Sequence, residues 1–227
     1  MAPPVVAGLA AVLLDLDGTL ADTAADLARA LNTLRAEHGL PALAAVELRP
    51  YVSQGARGLL GRGFDLDVQD ARYGGLRDRF LEIYEDCCAR EARLFDGFGP
   101  VLAALRGQGF KFGVVTNKIE RFASPLLRAL GVSPDADCLI TPDHVSRPKP
   151  DPEGVLLACA RLGVAPAACV FVGDDRRDIE AGRAAGTRTV VAAYGYIAPG
   201  EKPDQWGADA CIDSPVQLLA LCQRWSA

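Results

Sequence analysis

The sequence predicts an α/β protein, a doubly wound parallel sheet carrying a small helical insertion after its first strand. Three observations predict it. Short apolar runs that read as buried strands recur along the chain, amphipathic segments lie between them, and most of these segments stop at a glycine. The exception is the stretch from residue 16 to about residue 92, which carries no strand signal.

The strand-like runs are Ala11–Asp15, Phe112–Thr116, Cys138–Thr141, Cys169–Gly173 and Thr189–Val191. Apolar residues on both parities of a run mean burial on both faces, as in a parallel sheet covered by helices. The helical segments are Pro100–Gly107, Arg121–Leu130 before Gly131, Pro152–Leu162 before Gly163, and Asp178–Ala185 before Gly186. The apolar stripe Val216–Leu221 predicts a terminal helix, and Trp206 packs near a C-terminal strand. Within the insertion, Asp26–His38 and Leu76–Arg90 read as amphipathic helices. A polar, glycine-containing stretch, Ser53–Gly63, separates them, and Phe95-Asp96-Gly97 marks the return to the sheet. The division expected is residues 23–92 for the insertion and residues 1–22 with 93–227 for the core.

Composition narrows the function classes. Of 227 residues, 50% are hydrophobic and 23% charged, as in a globular protein, and the net charge is −5. An acidic balance argues against a nucleic-acid partner. No run approaches the roughly 18 apolar residues of a membrane span, and the apolar residues 5–14 lack a preceding basic segment, so neither an anchor nor a signal peptide is expected. Seven cysteines, an odd number without CxxC or Cys/His zinc spacing, suit reduced and mostly packed thiols in the cytoplasm. Cys138 and Cys169 fall in strands.

The polar residues at strand ends carry the chemistry. In AVLLDLDGTLADT (11–23), Asp15 and Asp17 close the first strand. Thr116 and Asn117 close the second, Lys149 lies between the third and fourth, and Asp174, Asp175 and Asp178 follow the fourth. A doubly wound sheet brings its strand ends to one edge, where ligands bind. Carboxylates gathered there repel one another and call for a cation. An all-oxygen set favours Mg²⁺, and Mg²⁺ commonly partners phosphate. One carboxylate can then attack phosphorus while a second protonates the leaving group and activates water. Thr116, Asn117 and Lys149 suit the phosphoryl oxygens. An Asp pair of this kind can also simply cap a helix; the company of the other strand-end residues favours chemistry.

DLDGTLADT (15–23), TNK (116–118), KPDP (149–152) and GDDRRDIEAGRAAGT (173–187) resemble, in order and spacing, the four motifs of the haloacid dehalogenase-like phosphatases. The resemblance covers nearly the whole chain. It implies that Asp15 is the nucleophile and Asp17 the general acid/base. Mg²⁺ would sit on Asp15, the Asp17 carbonyl and Asp174, with Thr116, Asn117 and Lys149 on the phosphoryl group. Asp175 and Asp178 would act behind them or through water. Residues 23–92 would be a small helical cap, with Gly18 helping its hinge. Asp17 separates phosphate from C–Cl chemistry, because halide leaving groups need no proton. Among these phosphatases the chain looks most like the phosphoglycolate phosphatases. The segments TPDHVSRPKPDP (141–152), GDDRRDIEAGRAAGTRT (173–189) and YGYIAPGEKPDQWGAD (194–209), with SQGAR (53–57) and LFDG (94–97), resemble the branch acting on N-acetylmuramic acid 6-phosphate in bacterial cell-wall recycling.

The expected partner is therefore a small phosphorylated metabolite, bound by a monomer or homodimer. Arg57 in SQGAR either reaches a substrate carboxylate or stands in solvent. Asp178 also suits an N-cap of the helix that follows it. Arg176 and Arg177 receive no role, His38 and His144 lack metal spacing, and Tyr194 and Tyr196 read more simply as packing than as borders of the site. A sugar phosphomutase would use the same residues, and a non-catalytic regulator the same fold.

Overall fold

The structure is a computed structural model that describes residues 8–132 and 137–226. The first residues of the apolar run 5–14 lie outside the described residues. Six parallel strands form the main sheet: β1 (Ala11–Leu14), β4 (Lys111–Val115), β5 (Cys138–Ile140), β6 (Cys169–Gly173), β7 (Arg188–Ala192) and β8 (Ala210–Ile212). Their order is β5-β4-β1-β6-β7-β8, so the direction of winding reverses at β1. Leu14 pairs in register with Val114 on one side and Val172 on the other. The doubly wound class expected from the sequence is the class observed.

Residue parity sorts the core into two layers. Val12, Leu14, Val114, Val170 and Val172 face α5 (Phe98–Gly107), α6 (Glu120–Ala129) and α9 (Val216–Ser226). Ala11, Leu13, Val115, Cys169 and Phe171 face α7 (Glu153–Leu162) and α8 (Arg176–Ala185). All four residues of β1 are fully buried, which explains their unbroken apolar run. Cys138 and Cys169 are buried, as expected.

The chain leaves this core through β2 (Ala21–Asp22) and returns through β3 (Arg93–Leu94), two residues each, paired antiparallel. Between them lie α1 (Ala24–Glu37), α2 (Ala45–Leu48), a 3₁₀ turn over Arg49–Gln54, α3 (Gly55–Phe64) and α4 (Tyr73–Cys87), with a core of their own that includes Leu31, Leu34, Leu59, Leu60 and Phe80. The stretch Ser53–Gly63, read from sequence as a polar spacer, is thus the end of the 3₁₀ turn and most of α3. Four glycines lower its helix propensity, but burial of Leu59 and Leu60 overrides that, and Gly63 lets the helix lie against Leu31.

Helix α1 has no side-chain cap of its own at Thr23. Its first N–H groups are met from the other end of the chain. The Tyr196 hydroxyl accepts from the backbone N–H of Thr23 at 2.7 Å and of Ala24 at 3.1 Å, and donates to Asp22 at 2.8 Å. Tyr196 is therefore a buried structural link, more than the packing residue expected. Replacing it should cost what losing a helix cap costs, about 1–2 kcal/mol. Urea unfolding of Tyr196→Phe should show that loss, and amide exchange should rise selectively at the start of α1.

Candidate active site

The winding reversal at β1 leaves a crevice at the carboxyl ends of β1, β4 and β6. Asp15 continues β1, its N–H still bonded to the Val172 carbonyl at 2.9 Å. Thr116 directly follows β4, and Asp174 directly follows β6. Gly18 turns the chain with φ of +87°, and any side chain there would collide with the Asp174 carboxylate. A β-carbon at Gly195 would likewise meet Asp174, and the Gly18 carbonyl as well.

Lys149, from the connection between β5 and α7, reaches the floor. Its Nζ lies 2.6 Å from Asp15 Oδ1, 2.6 Å from Asp178 Oδ1 and 2.9 Å from the Val115 carbonyl. Asn117 holds this connection from below: its amide donates to the Lys149 carbonyl at 3.0 Å and accepts from the Lys149 N–H at 3.1 Å. Burial alone would drive the Lys149 ammonium down, but the Asp15 and Asp178 carboxylates outweigh it and hold the group above its usual range.

Asp15, Asp174 and Asp178 each bring an oxygen within 4.8 Å of the others. One ammonium serves two of them. Asp174 receives only neutral donors among the described residues: the Thr19 hydroxyl at 3.2 Å, the Ser53 hydroxyl at 2.7 Å and the Tyr196 N–H at 2.7 Å. Burial first, then the charges of Asp15 and Asp178, push the Asp174 carboxyl well above the usual carboxylate range. Burial, with Asp15 and Asp175 adding to it against Lys149, pushes Asp178 up to about 7. Three hard oxygen donors with too little positive charge suit a small divalent cation.

The remaining acids have other partners. Asp17 turns its carboxylate away from this cluster, to Lys118 Nζ at 3.0 and 3.1 Å and to the Thr23 hydroxyl at 2.5 Å. Asp175 is the N-cap of α8: its carboxylate accepts the Arg177 N–H at 2.9 Å and forms a two-pronged pair with the Arg177 guanidinium. Helix α8 starts at Arg176, so Asp178 is its third residue and closes a capping box back to the Asp175 N–H at 3.1 Å. The sequence expectation of Asp178 as the N-cap is corrected by three residues.

A cavity of about 360 Å³ stands above this floor. Asp15, Asp17, Thr116, Asn117, Lys149, Asp175 and Asp178 line it from the core side, and Arg57 lines it from the insertion. The sequence-expected residues thus meet at one place, with Asp174 tucked beneath Tyr196. Sequence reasoning gave no role to Lys118, Ser53, Arg177 or Tyr196. Lys118 sits within the TNK segment and was the readable one, since only four lysines occur in the chain. His144 bonds locally, accepting the Thr141 N–H in the turn after β5.

This arrangement defines a doubly wound α/β protein with buried carboxylates gathered at the switch point of its sheet. The model of the haloacid dehalogenase-like hydrolases matches residues 9–186, and the chain belongs to that family. It is 46% identical over 216 residues to the N-acetylmuramic acid 6-phosphate phosphatase of Pseudomonas aeruginosa, covering 95% of this chain and 96% of that one. It is 42% identical to a phosphoglycolate phosphatase of Xanthomonas campestris, covering 92% and 94%. A crystal structure titled a predicted phosphoglycolate phosphatase, from Haemophilus somnus, superposes with a TM-score of 0.82 at 26% identity, covering 96% and 99%. The chain is accordingly a phosphatase.

The raised carboxyls make a pH prediction. A carboxyl held above its unfolded value binds its proton more tightly in the folded chain, so stability falls as pH rises from about 4 to about 7, across the range between the ordinary Asp value and that of Asp178. In EDTA the melting temperature should drop between pH 5 and pH 8, by about 5 °C or more, and MgCl₂ at pH 8 should recover most of the loss. A flat profile with and without the cation would contradict the charge deficit at Asp174.

Proposed function

We propose that the chain is a Mg²⁺-dependent phosphomonoesterase that works through an aspartyl-phosphate on Asp15, with N-acetylmuramic acid 6-phosphate or 2-phosphoglycolate as substrate. The observation that carries this reading is the position of Asp15. It lies at the floor of the cavity, one oxygen held by Lys149, with Asp17 lining the same cavity and free of the carboxylate cluster.

Asp15 attacks phosphorus in line with the leaving oxygen, whose proton comes from Asp17. The same Asp17 then takes a proton from water, which hydrolyses the aspartyl-phosphate. Lys149 stabilises the phosphoryl charge and keeps Asp15 aimed, and Thr116 holds a phosphoryl oxygen. Asn117 acts by fixing the Lys149 connection. Asp15 and Asp174, with the Asp17 carbonyl and with Asp178 close by, would hold Mg²⁺, which supplies positive charge against the phosphoryl oxygens. Residues 23–92 act as a cap over the core of residues 1–22 and 93–227, excluding bulk water during attack.

The size and lining of the cavity favour the larger ester. Phosphoglycolate would leave much of 360 Å³ unfilled, whereas Tyr73, Phe80 and Leu81 offer a sugar ring an apolar and aromatic wall. The 46% relative bears a name for that chemistry. The protein works in the cytoplasm, as a monomer or homodimer, with this small metabolite as its partner; no helix among the described residues is long and apolar enough to cross a membrane.

Phosphate release with Mg²⁺ from the two esters, side by side, tests the reading. A kcat/KM advantage for the muramic ester is expected. Turnover without free phosphate would instead mark a mutase. Asp15→Asn should lower kcat by a factor on the order of 10⁴ or more with the fold intact. Asp17→Asn should accumulate phosphoenzyme on acid quench, and rapid hydrolysis in that variant would remove Asp17 from the second step.

A further inference from the structure

The roof of the cavity carries positive charge that the phosphoryl chemistry does not use. Arg57, in α3, lines the cavity, is exposed to it and has no hydrogen-bond or ion-pair partner among the described residues. Of the other arginines of the insertion, Arg90 does not line the cavity, and most of the rest are engaged. Arg29 pairs with Glu91, Arg49 with Asp22, Arg62 with Glu47, Arg72 with Asp70 and Arg79 with Glu37, while Arg35 donates to the Pro41 carbonyl. Arg77 makes one long contact, 3.5 Å to its exposed neighbour Asp78.

Arg77 also belongs to the cavity. Tyr73, Arg77, Phe80, Leu81 and Tyr84 line it from α4, at the spacing of one helix face. That face is otherwise aromatic and aliphatic, so a cation there is conspicuous.

The roof is seated on the floor by a direct clasp. Arg177 Nη2 donates to the Ser53 carbonyl at 2.7 Å while the same guanidinium grips Asp175. Ser53 in turn donates its hydroxyl to Asp174. Arg57 lies four positions after Ser53, and the 3₁₀ turn runs directly into α3. The clasp therefore sets how far Arg57 stands from the phosphoryl site.

We infer that Arg57 and Arg77 form a second anion subsite that reads a carboxylate on the substrate, at a distance from the phosphoryl group fixed by the Arg177–Ser53 clasp. The inference rests on the phosphatase reading above and assigns residues to the carboxylate that both of its proposed substrates carry. A guanidinium matches a carboxylate with two parallel hydrogen bonds, which makes it a better discriminator than a point charge. Arg57, lacking any protein carboxylate, is the main contact, and Arg77 gives up only a weak exposed pair to join it.

Two pairs of esters test it, one member of each bearing a carboxylate: phosphoglycolate against ethyl phosphate, which has a methyl group in its place, and N-acetylmuramic acid 6-phosphate against N-acetylglucosamine 6-phosphate, which lacks the whole lactyl ether. The wild type should prefer the carboxylate-bearing member of at least one pair by about tenfold or more in kcat/KM. In Arg57→Gln that preference should fall to about twofold or less, mostly through KM, with the carboxylate-free member nearly unchanged. Arg77→Gln should shift it in the same direction by less. Arg57→Lys should recover part of the preference, because charge returns without the fork. Equal losses on both members, or no change on either, would overturn the subsite, as would a wild type without the preference. No phosphate from any of the four esters would strike the proposed function itself, and the subsite would fall with it.

Discussion

Buried carboxylates at the ends of β1 and β6 set the terms for everything around them. Asp15, Asp174 and Asp178 crowd to within 4.8 Å, and the protein supplies one ammonium among them. Such a cluster persists in a folded chain only if each oxygen is met by a donor or a cation. The local structure follows from that demand. Lys149 sits on a connection that Asn117 pins from both sides, so its ammonium cannot drift. Asp178 is tied to the start of α8 by the capping box, and Asp174 takes hydroxyls from Thr19 and Ser53 and an N–H from Tyr196. Gly18 and Gly195 are required because Asp174 needs the space their side chains would fill.

The same demand joins the insertion to the core. Tyr196 serves Asp174 through its backbone N–H and the beginning of α1 through its hydroxyl. Ser53 serves Asp174 from the other end of the insertion, and Arg177 grips the Ser53 carbonyl. The two-residue ribbon of β2 and β3 is a thin stem for four helices. Beyond strand pairing, those helices are joined to the core by this polar contact at Asp174 and by apolar contact, with Tyr84 edge-on to Phe122 at 5.1 Å.

Much of this was legible in the sequence because strand ends are legible. Ala11–Leu14, Phe112–Val115 and Cys169–Gly173 are apolar on both faces, and the polar residue that breaks each run is where the backbone emerges at the sheet's carboxyl edge. Asp15, Thr116 and Asp174 were found in that way. Tyr196, Ser53 and Arg177 were not, because their partners lie more than a hundred positions away. No periodicity encodes a contact between two connections. The segment Ser53–Gly63 misled for a different reason. Its glycines argue for a loop, and only the neighbouring α1 and α4 make burial of Leu59 and Leu60 decisive. Strands β2 and β3 are too short to show any alternation.

Charge placement explains how an acidic chain can serve an anionic substrate. The net charge of −5 describes the whole surface, and screening in cellular salt confines its effect to about 8 Å from each exposed group. Inside the cavity the balance differs. On the floor Lys149 pairs with Asp15 and Asp178, Lys118 with Asp17 and Arg177 with Asp175, which leaves Asp174 to neutral donors among the described residues. The cationic groups with unmet capacity are on the roof, at Arg57 and Arg77. A substrate with a phosphate at one end and a carboxylate at the other meets positive charge at both, and an ester lacking the carboxylate leaves Arg57 in water as it stands without substrate. Missing an exposed Arg contact costs the wrong ester little in absolute binding; the discrimination comes from what the right ester gains. Selectivity of this kind should therefore appear as tighter productive binding of the acid, with similar chemistry on both esters once bound.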